Sequence, residues 1–200
     1  MSRWEAQRVE SDRRQLRSTL EARLAEQNRR QREVLGDGHC QFRAVADQLG
    51  QTGVQASHEQ VRRRSVCWLA GHGNMKRGTV ELKDFASLPE HPDGGAFSEY
   101  IEKMEATSDV RHGQVYWGDY LTLHAVATVY RCEVVVVSSL LAATEPIIIR
   151  PLQGSVREER RAWLAHLHEY HCQSTRPSWP AVQVEQPAHR HHRPRASNLR

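Results

Sequence analysis

The spacing of apolar and polar positions divides the 200-residue chain into three textures. Residues 3–33 are charged almost throughout, and only Leu16, Leu20 and Leu24, with Val9 in line, recur at helical spacing. The pattern predicts one long helix with a thin apolar stripe: a solvated or partner-docked extension, with a short coiled coil as the competing form. From Val34 the apolar density rises to that of an α/β domain. Helical spacing recurs at Cys40–Leu49, His58–Leu69, Ala96–Ala106 and Asp119–Tyr130. β-Branched runs predict strands at Glu133–Ser139 and Pro146–Leu152, and Ala162–Ser174 reads as a third strand. Gly71–Gly78 and Pro89–Gly95 read as loops. After Ser174 the chain becomes RPSWPAVQVEQPAHRHHRPRASNLR, without periodicity, and predicts a flexible tail beyond about Trp179. The expected organisation is a charged helical extension over residues 1–33, one domain over 34–176 and a basic tail over 177–200.

Composition fits that division. Apolar residues make up 38% of the chain, low for a protein that folds from end to end. No apolar run exceeds the strand-sized Val134–Val137, so a membrane span is not expected, and the charged start lacks the apolar core of a secretory signal. The net charge of +4 invites a nucleic-acid reading until it is located. Residues 1–33 carry nine basic against six acidic side chains and residues 176–200 carry five against one, whereas residues 34–175 carry 14 against 17. The basic character lies in the ends, and a slightly acidic centre argues against a surface that tracks phosphates. The four cysteines show no CxxC spacing, which argues against a disulfide framework or a zinc ribbon. The expectation is a monomer without metal or cofactor in a reducing, intracellular compartment, the cytoplasm or also the nucleus. His189, His191 and His192, among Arg and Pro, suggest no more than adventitious metal binding.

The chemistry gathers at two places. In VLGDGHCQFRAVADQL, Cys40 stands where helical spacing begins, and Gly38 lets the backbone turn tightly before it. Unpaired N–H groups and the helix dipole at that point favour a thiolate, and the same N–H groups could hold an oxyanion. Asp37 is an acceptor that would brace the loop. These residues alone leave two readings open: a nucleophile, or a small buried side chain after a capping turn. A cysteine nucleophile needs a base held by an acceptor. In AWLAHLHEYHCQSTR, period-two alternation puts His171 and Gln173 on the same face as Leu167 and Glu169. That supplies an imidazole and a side-chain carbonyl side by side, while His166 and His168 fall on the other face.

These residues resemble the OTU (ovarian tumour) family of papain-like cysteine proteases, which remove ubiquitin. DGHCQFRAVADQL is similar to the family's first block, WGDYLTLHAVATVYRCEVVVVSS to its central block, and HLHEYHCQST to its closing block. All three occur in order over about residues 34–176. The resemblance implies a papain-like α/β (α+β) fold with a small central β-sheet flanked by helices. It implies Cys40 as nucleophile, His171 as general base, and Asp37 as triad partner or loop organiser. Gln173 falls where an Asn or Asp orients the histidine, and the backbone N–H groups of Gly38, His39 and Cys40 would form the oxyanion hole. Trp117 and Asp119 are candidates for substrate binding, or equally a structural turn and a helix cap. The implied reaction is hydrolysis of the (iso)peptide bond after ubiquitin's C-terminal glycine, without metal or cofactor. Ubiquitin, polyubiquitin chains and ubiquitinated proteins would be the partners. Three positions depart from the family pattern: His39 replaces Asn, Cys172 an aromatic residue, and Gln173 an Asn. The alternative reading is a catalytically inactive relative that binds ubiquitin.

Overall fold

The computed structural model describes residues 3–86, 97–105, 116–157, 160–168 and 171–178. The expected loop at Pro89–Gly95 and the expected tail beyond Trp179 lie outside them. In chain order the elements are α1 (Arg3–Glu26), β1 (Arg29–Arg32), α2 (Cys40–Gln51), α3 (His58–His72), β2 (Lys76–Arg77), β3 (Val80–Glu81) and α4 (Leu82–Phe85). There follow α5 (Phe97–Glu105), α6 (Tyr120–Tyr130), β4 (Glu133–Ser138), β5 (Ile147–Ile149), β6 (Arg161–Leu167) and β7 (His171–Pro177). Five strands form one sheet in the order β1-β7-β6-β4-β5, in which only β4 and β6 run parallel. β2 and β3 make a separate two-stranded ribbon. This is the expected mixed architecture, a central sheet between helices.

Both faces of the sheet are covered, which explains why β4 reads as an unbroken apolar run rather than an alternating one. On one face, Val134, Val136, Ala162 and Leu164 pack with Phe42, Val45 and Leu49 of α2 and Val126 of α6. α6 is buried nearly all round, as its apolar sequence requires. On the other face, Val137, Ala165 and Leu167 meet Leu20 and Leu24 of α1. Both leucines are 1% exposed, whereas Trp4 and Val9 in the first half of α1 are open to solvent. The second half of the charged helix is therefore part of the fold. Arg23 reinforces the docking by donating to the carbonyls of Ser138 and Leu140.

Two expected elements divide. The helix over residues 3–33 ends at Glu26, where Asn28 adopts a left-handed conformation (φ 53°) that Asn tolerates better than most residues. The chain then reverses into β1, which pairs antiparallel with β7. The single strand over Ala162–Ser174 is a hairpin, β6 and β7, registered Leu167 to His171 and Ala165 to Gln173. Because directly opposed residues share a face, the break leaves the expected faces intact. Pro146–Leu152 contributes only the three-residue β5. α3 runs three residues past its expected end, so Gly71–Gly78 is only partly loop.

The buried amide of Gln48 ties α2 to this hairpin. Its Nε2 donates to Ser174 Oγ (2.8 Å) and to the Thr175 carbonyl (2.6 Å), and its Oε1 accepts the Trp163 N–H (2.9 Å). Such a fully used buried amide fixes two elements in one register. It thereby fixes the N-terminus of α2 relative to the start of β7. Among the described residues no helix is long and apolar enough to cross a membrane.

Candidate active site

Cys40 is the first residue of α2. The turn before it needs Gly38, whose φ of 81° most side chains would oppose. No side chain caps the helix; Asp37 instead accepts the His39 N–H through Oδ1 at 3.1 Å. Arg43, one turn into α2, donates from Nε to both Asp37 carboxylate oxygens at 3.0 and 3.2 Å and adds a contact from its terminal nitrogen. This pairing, above all the Arg43 hydrogen bond, holds the Asp37 carboxyl down at about 2. Asp37 is thus committed to the loop, and no hydrogen bond among the described residues joins it to His171.

The Cys40 thiol is half-buried. Burial raises its pKa; the backbone N–H groups of Cys172, Gln41 and Cys40 itself oppose that effect without overcoming it. The resting group is therefore a neutral thiol at neutral pH, already surrounded by donors that favour its anion. The Cys172 N–H belongs to the residue that follows His171, so the start of β7 reaches the start of α2.

His171 Nε2 lies 3.1 Å from the Val34 carbonyl. A carbonyl only accepts, so this contact sets the tautomer: Nε2 carries the proton and Nδ1 keeps its lone pair. An added methyl at Gly36 would sit 3.6 Å from Cε1 and 3.8 Å from Nδ1, so the backbone passes close to that edge of the ring. Among the described residues no hydrogen bond joins the ring to Cys40 or to Gln173. Gln173 lies on the expected face beside His171, but its Oε1 is buried with no hydrogen-bond partner among the described residues. The acceptor at the ring is the backbone of Val34, which sequence reasoning missed because a carbonyl leaves no mark on residue choice.

The WGD segment supports the first helix. Gln41 Nε2 donates to the Asp119 carbonyl (3.1 Å) and to Thr122 Oγ1 (2.8 Å). Gly118 packs against that amide, leaving no room for a side chain. Asp119 is the N-cap of α6: it accepts the Thr122 N–H at 2.9 Å and the Tyr100 hydroxyl at 3.0 and 2.9 Å. Burial raises its pKa against these hydrogen bonds. Of the two readings for Asp119, the geometry is that of the cap. Trp117 is 59% exposed. Arg62, also missed, is buried with its guanidinium over Phe42 and donates to the carbonyls of Met104 and Tyr116. Burial pulls its pKa down to about 10. Its Nη1 lies 3.4 Å from His39 Nδ1, so His39 packs into this cluster rather than facing away from the loop.

Two cavities flank these residues. One, of about 880 Å³, opens beside Asp37, His39 and Arg43 against α3. The other, of about 500 Å³, lies on the α1 side and includes Gly36, His171 and Gln173. Among the described residues no cluster of three or more His, Cys, Asp and Glu side chains is arranged to hold a metal ion.

Comparison with known proteins follows the same outline. The model of a family described as OTU-like cysteine protease matches residues 35–175. The ovarian tumor domain-containing deubiquitinating enzyme 10 of Arabidopsis thaliana is 36% identical over 107 residues, 54% of this chain and 24% of that protein. Enzyme 11 of the same series is 30% identical over 155 residues, 78% of this chain and 53% of its own length. This chain thus spans about a quarter and about half of those two relatives. Among solved structures, the OTUD1 OTU domain superposes with a TM-score of 0.54 at 20% identity, covering 80% of this chain and 93% of that one. That likeness concerns the fold.

Proposed function

Because this chain belongs to the OTU-like cysteine protease family, we propose that it is a thiol-dependent hydrolase of ubiquitin conjugates, with Cys40 as nucleophile and His171 as general base. The observation that carries the reading is the approach of the start of β7 to the start of α2, where the backbone N–H after His171 lies close enough to the Cys40 thiol to favour its anion. The His171 tautomer fits the role. With Nε2–H donated to the Val34 carbonyl, Nδ1 is the nitrogen able to take a proton.

Since burial keeps Cys40 a thiol at rest, deprotonation belongs to the attack itself. Nδ1 takes the thiol proton as Sγ bonds to the carbonyl carbon of ubiquitin's C-terminal glycine. The developing oxyanion accepts hydrogen bonds from the backbone N–H groups at Gly38 and Cys40, while the His39 N–H, expected to join them, is held by Asp37 Oδ1. The C–N bond then breaks, the leaving amine takes the proton from His171, and a thioester remains. Water, deprotonated by His171, adds to the thioester, and Sγ leaves to regenerate the thiol. In this reading Asp37 organises the loop through Arg43 and His39, and the Val34 carbonyl orients the base in place of Gln173.

The test is a ubiquitin carrying a C-terminal electrophile. Labelling is expected on Cys40 and absent in Cys40→Ala; labelling that persists in that variant, or falls on Cys67, refutes the assignment. Binding of ubiquitin without cleavage of any linkage favours the inactive relative, a reading motivated by Gln173 Oε1, which is buried without a hydrogen-bond partner among the described residues.

A further inference from the structure

Helix α1 does more than cover the sheet. Its buried leucines lie over the face that carries Leu167, His171 and Gln173, and the same helix turns Arg13, Arg17 and Glu21 into the 500 Å³ cavity beside the histidine. The opposite wall comes from β1, with Gln31, and from the chain between β1 and α2, with Glu33 and Gly36. The cavity is built from residues far apart in sequence and joins the proposed base on one side only: His171 and Gly36 line it, whereas Asp37, His39 and Cys40 do not.

That asymmetry identifies which part of a substrate belongs there. The acyl portion must stay against Sγ and the N–H groups at the start of α2. The amine must depart past the group that protonates it, which is His171. A cleft that adjoins the ring and avoids the oxyanion loop lies on the leaving side. Its lining suits polypeptide rather than an apolar ligand. Arg17, Glu21 and Glu33 are exposed, and among the described residues none of the three enters an ion pair. Gln173 adds a polar side chain to the lining.

We infer that the cleft between α1 and His171 is the subsite for the leaving polypeptide, the charged segment around the modified lysine, and that Arg17 and Glu21 select among such segments. The inference rests on the hydrolase reading and adds to it a substrate-selecting surface outside the helices and strands that carry Cys40 and His171.

The experiment compares two substrates of the full chain: ubiquitin joined to a small fluorogenic amine, which has no leaving polypeptide, and a panel of di-ubiquitins of every linkage. Arg17→Glu and Glu21→Arg reverse exposed charges that enter no ion pair among the described residues. Each is expected to change kcat/KM on at least one di-ubiquitin by about fivefold, mostly through KM, and to shift the order of linkages. The small amide should stay within about twofold in the same variants, which also shows that they fold. Equal changes on both substrates, or no change on any linkage, overturn the inference while leaving the hydrolase intact. A wild type inert on both substrates, and unlabelled by the electrophilic probe, removes the hydrolase reading and this subsite with it.

Discussion

Gly118→Ala offers a sharp test of the packing beneath the first turn of α2, which begins at Cys40. A methyl at this position would stand 2.7 Å from Gln41 Nε2, 2.8 Å from its Cδ and 3.1 Å from Phe42 Cε2. A flexible side chain at such a distance would normally swing aside at little cost. Gln41 is not free to do so, being 7% exposed and bonded through Nε2 to both the Asp119 carbonyl and Thr122 Oγ1. Displacement forfeits two hydrogen bonds at about 1 kcal/mol each and leaves a buried amide unsatisfied, for a total of about 2–4 kcal/mol. For a domain of this size that corresponds to a fall in Tm of roughly 4–16 °C. Urea denaturation of wild type, Gly118→Ala, Gln41→Ala and the double variant closes a thermodynamic cycle. If Gln41 is the obstruction, the glycine substitution should cost less than about 1 kcal/mol once Gln41 is Ala, a coupling of about 1–3 kcal/mol. A cost below about 0.5 kcal/mol in the wild-type background, or an unchanged cost without Gln41, refutes the reasoning.

Other expectations concern single groups. Burial and the nearby Arg77 pull His124 down to about 4, so the folded state disfavours its protonation. Its stabilising contribution is complete above the unfolded value near 6.5 and is lost as pH falls towards 4, amounting to about 2 kcal/mol by pH 5. Urea midpoints of His124→Leu should therefore change less between pH 7 and pH 5 than those of wild type; parallel losses contradict this. Asp37→Asn keeps an acceptor for the His39 N–H but loses the ion pair with Arg43. It should lower kcat/KM about three- to tenfold, because the pair is partly exposed. A loss of about 10⁴-fold would instead give Asp37 a triad role. Leu20→Ala should cost about 2–4 kcal/mol by denaturation if α1 is integral to the core, and under 0.5 kcal/mol if α1 is a solvated extension.

Much of the fold is written in periodicity. α2, α3, α5 and α6 lie where apolar spacing puts them, and β4 is the valine run. The two elements that divide share a cause: a reversal with no Gly or Pro to announce it. Gln27-Asn28 ends α1 with neither Gly nor Pro, and the link between β6 and β7, His168 to Tyr170, contains no strong turn residue. Periodicity still placed His171 and Gln173 on the face of Leu167, because a hairpin that pairs Leu167 with His171 preserves the faces of opposed residues. Chemistry was legible where residue type matters, as with Gly38 before Cys40 or Asp119 before α6. It was illegible where the backbone acts: the Val34 carbonyl at His171 is available to any residue at position 34. Arg43 stood inside the quoted block, yet its reach back to Asp37 depends on the tight loop between them. Gln173 shows the opposite limit, since adjacency on a strand did not make it a hydrogen-bond partner of the imidazole.

The pairing of β1 with β7 has a consequence for when the site comes into being. Arg29 and Pro177 face each other across about 150 positions of sequence, and the carbonyl that holds His171 follows directly from β1. During synthesis, α1, β1 and Cys40 emerge before β7 and wait for it. A ribosome-bound chain that has exposed Cys40 but not β7 lacks the imidazole, the Cys172 N–H and the partner for β1. Under the proposed mechanism the thiol would have no base until the two ends of the domain clasp, so activity would wait on the completion of the domain's own folding.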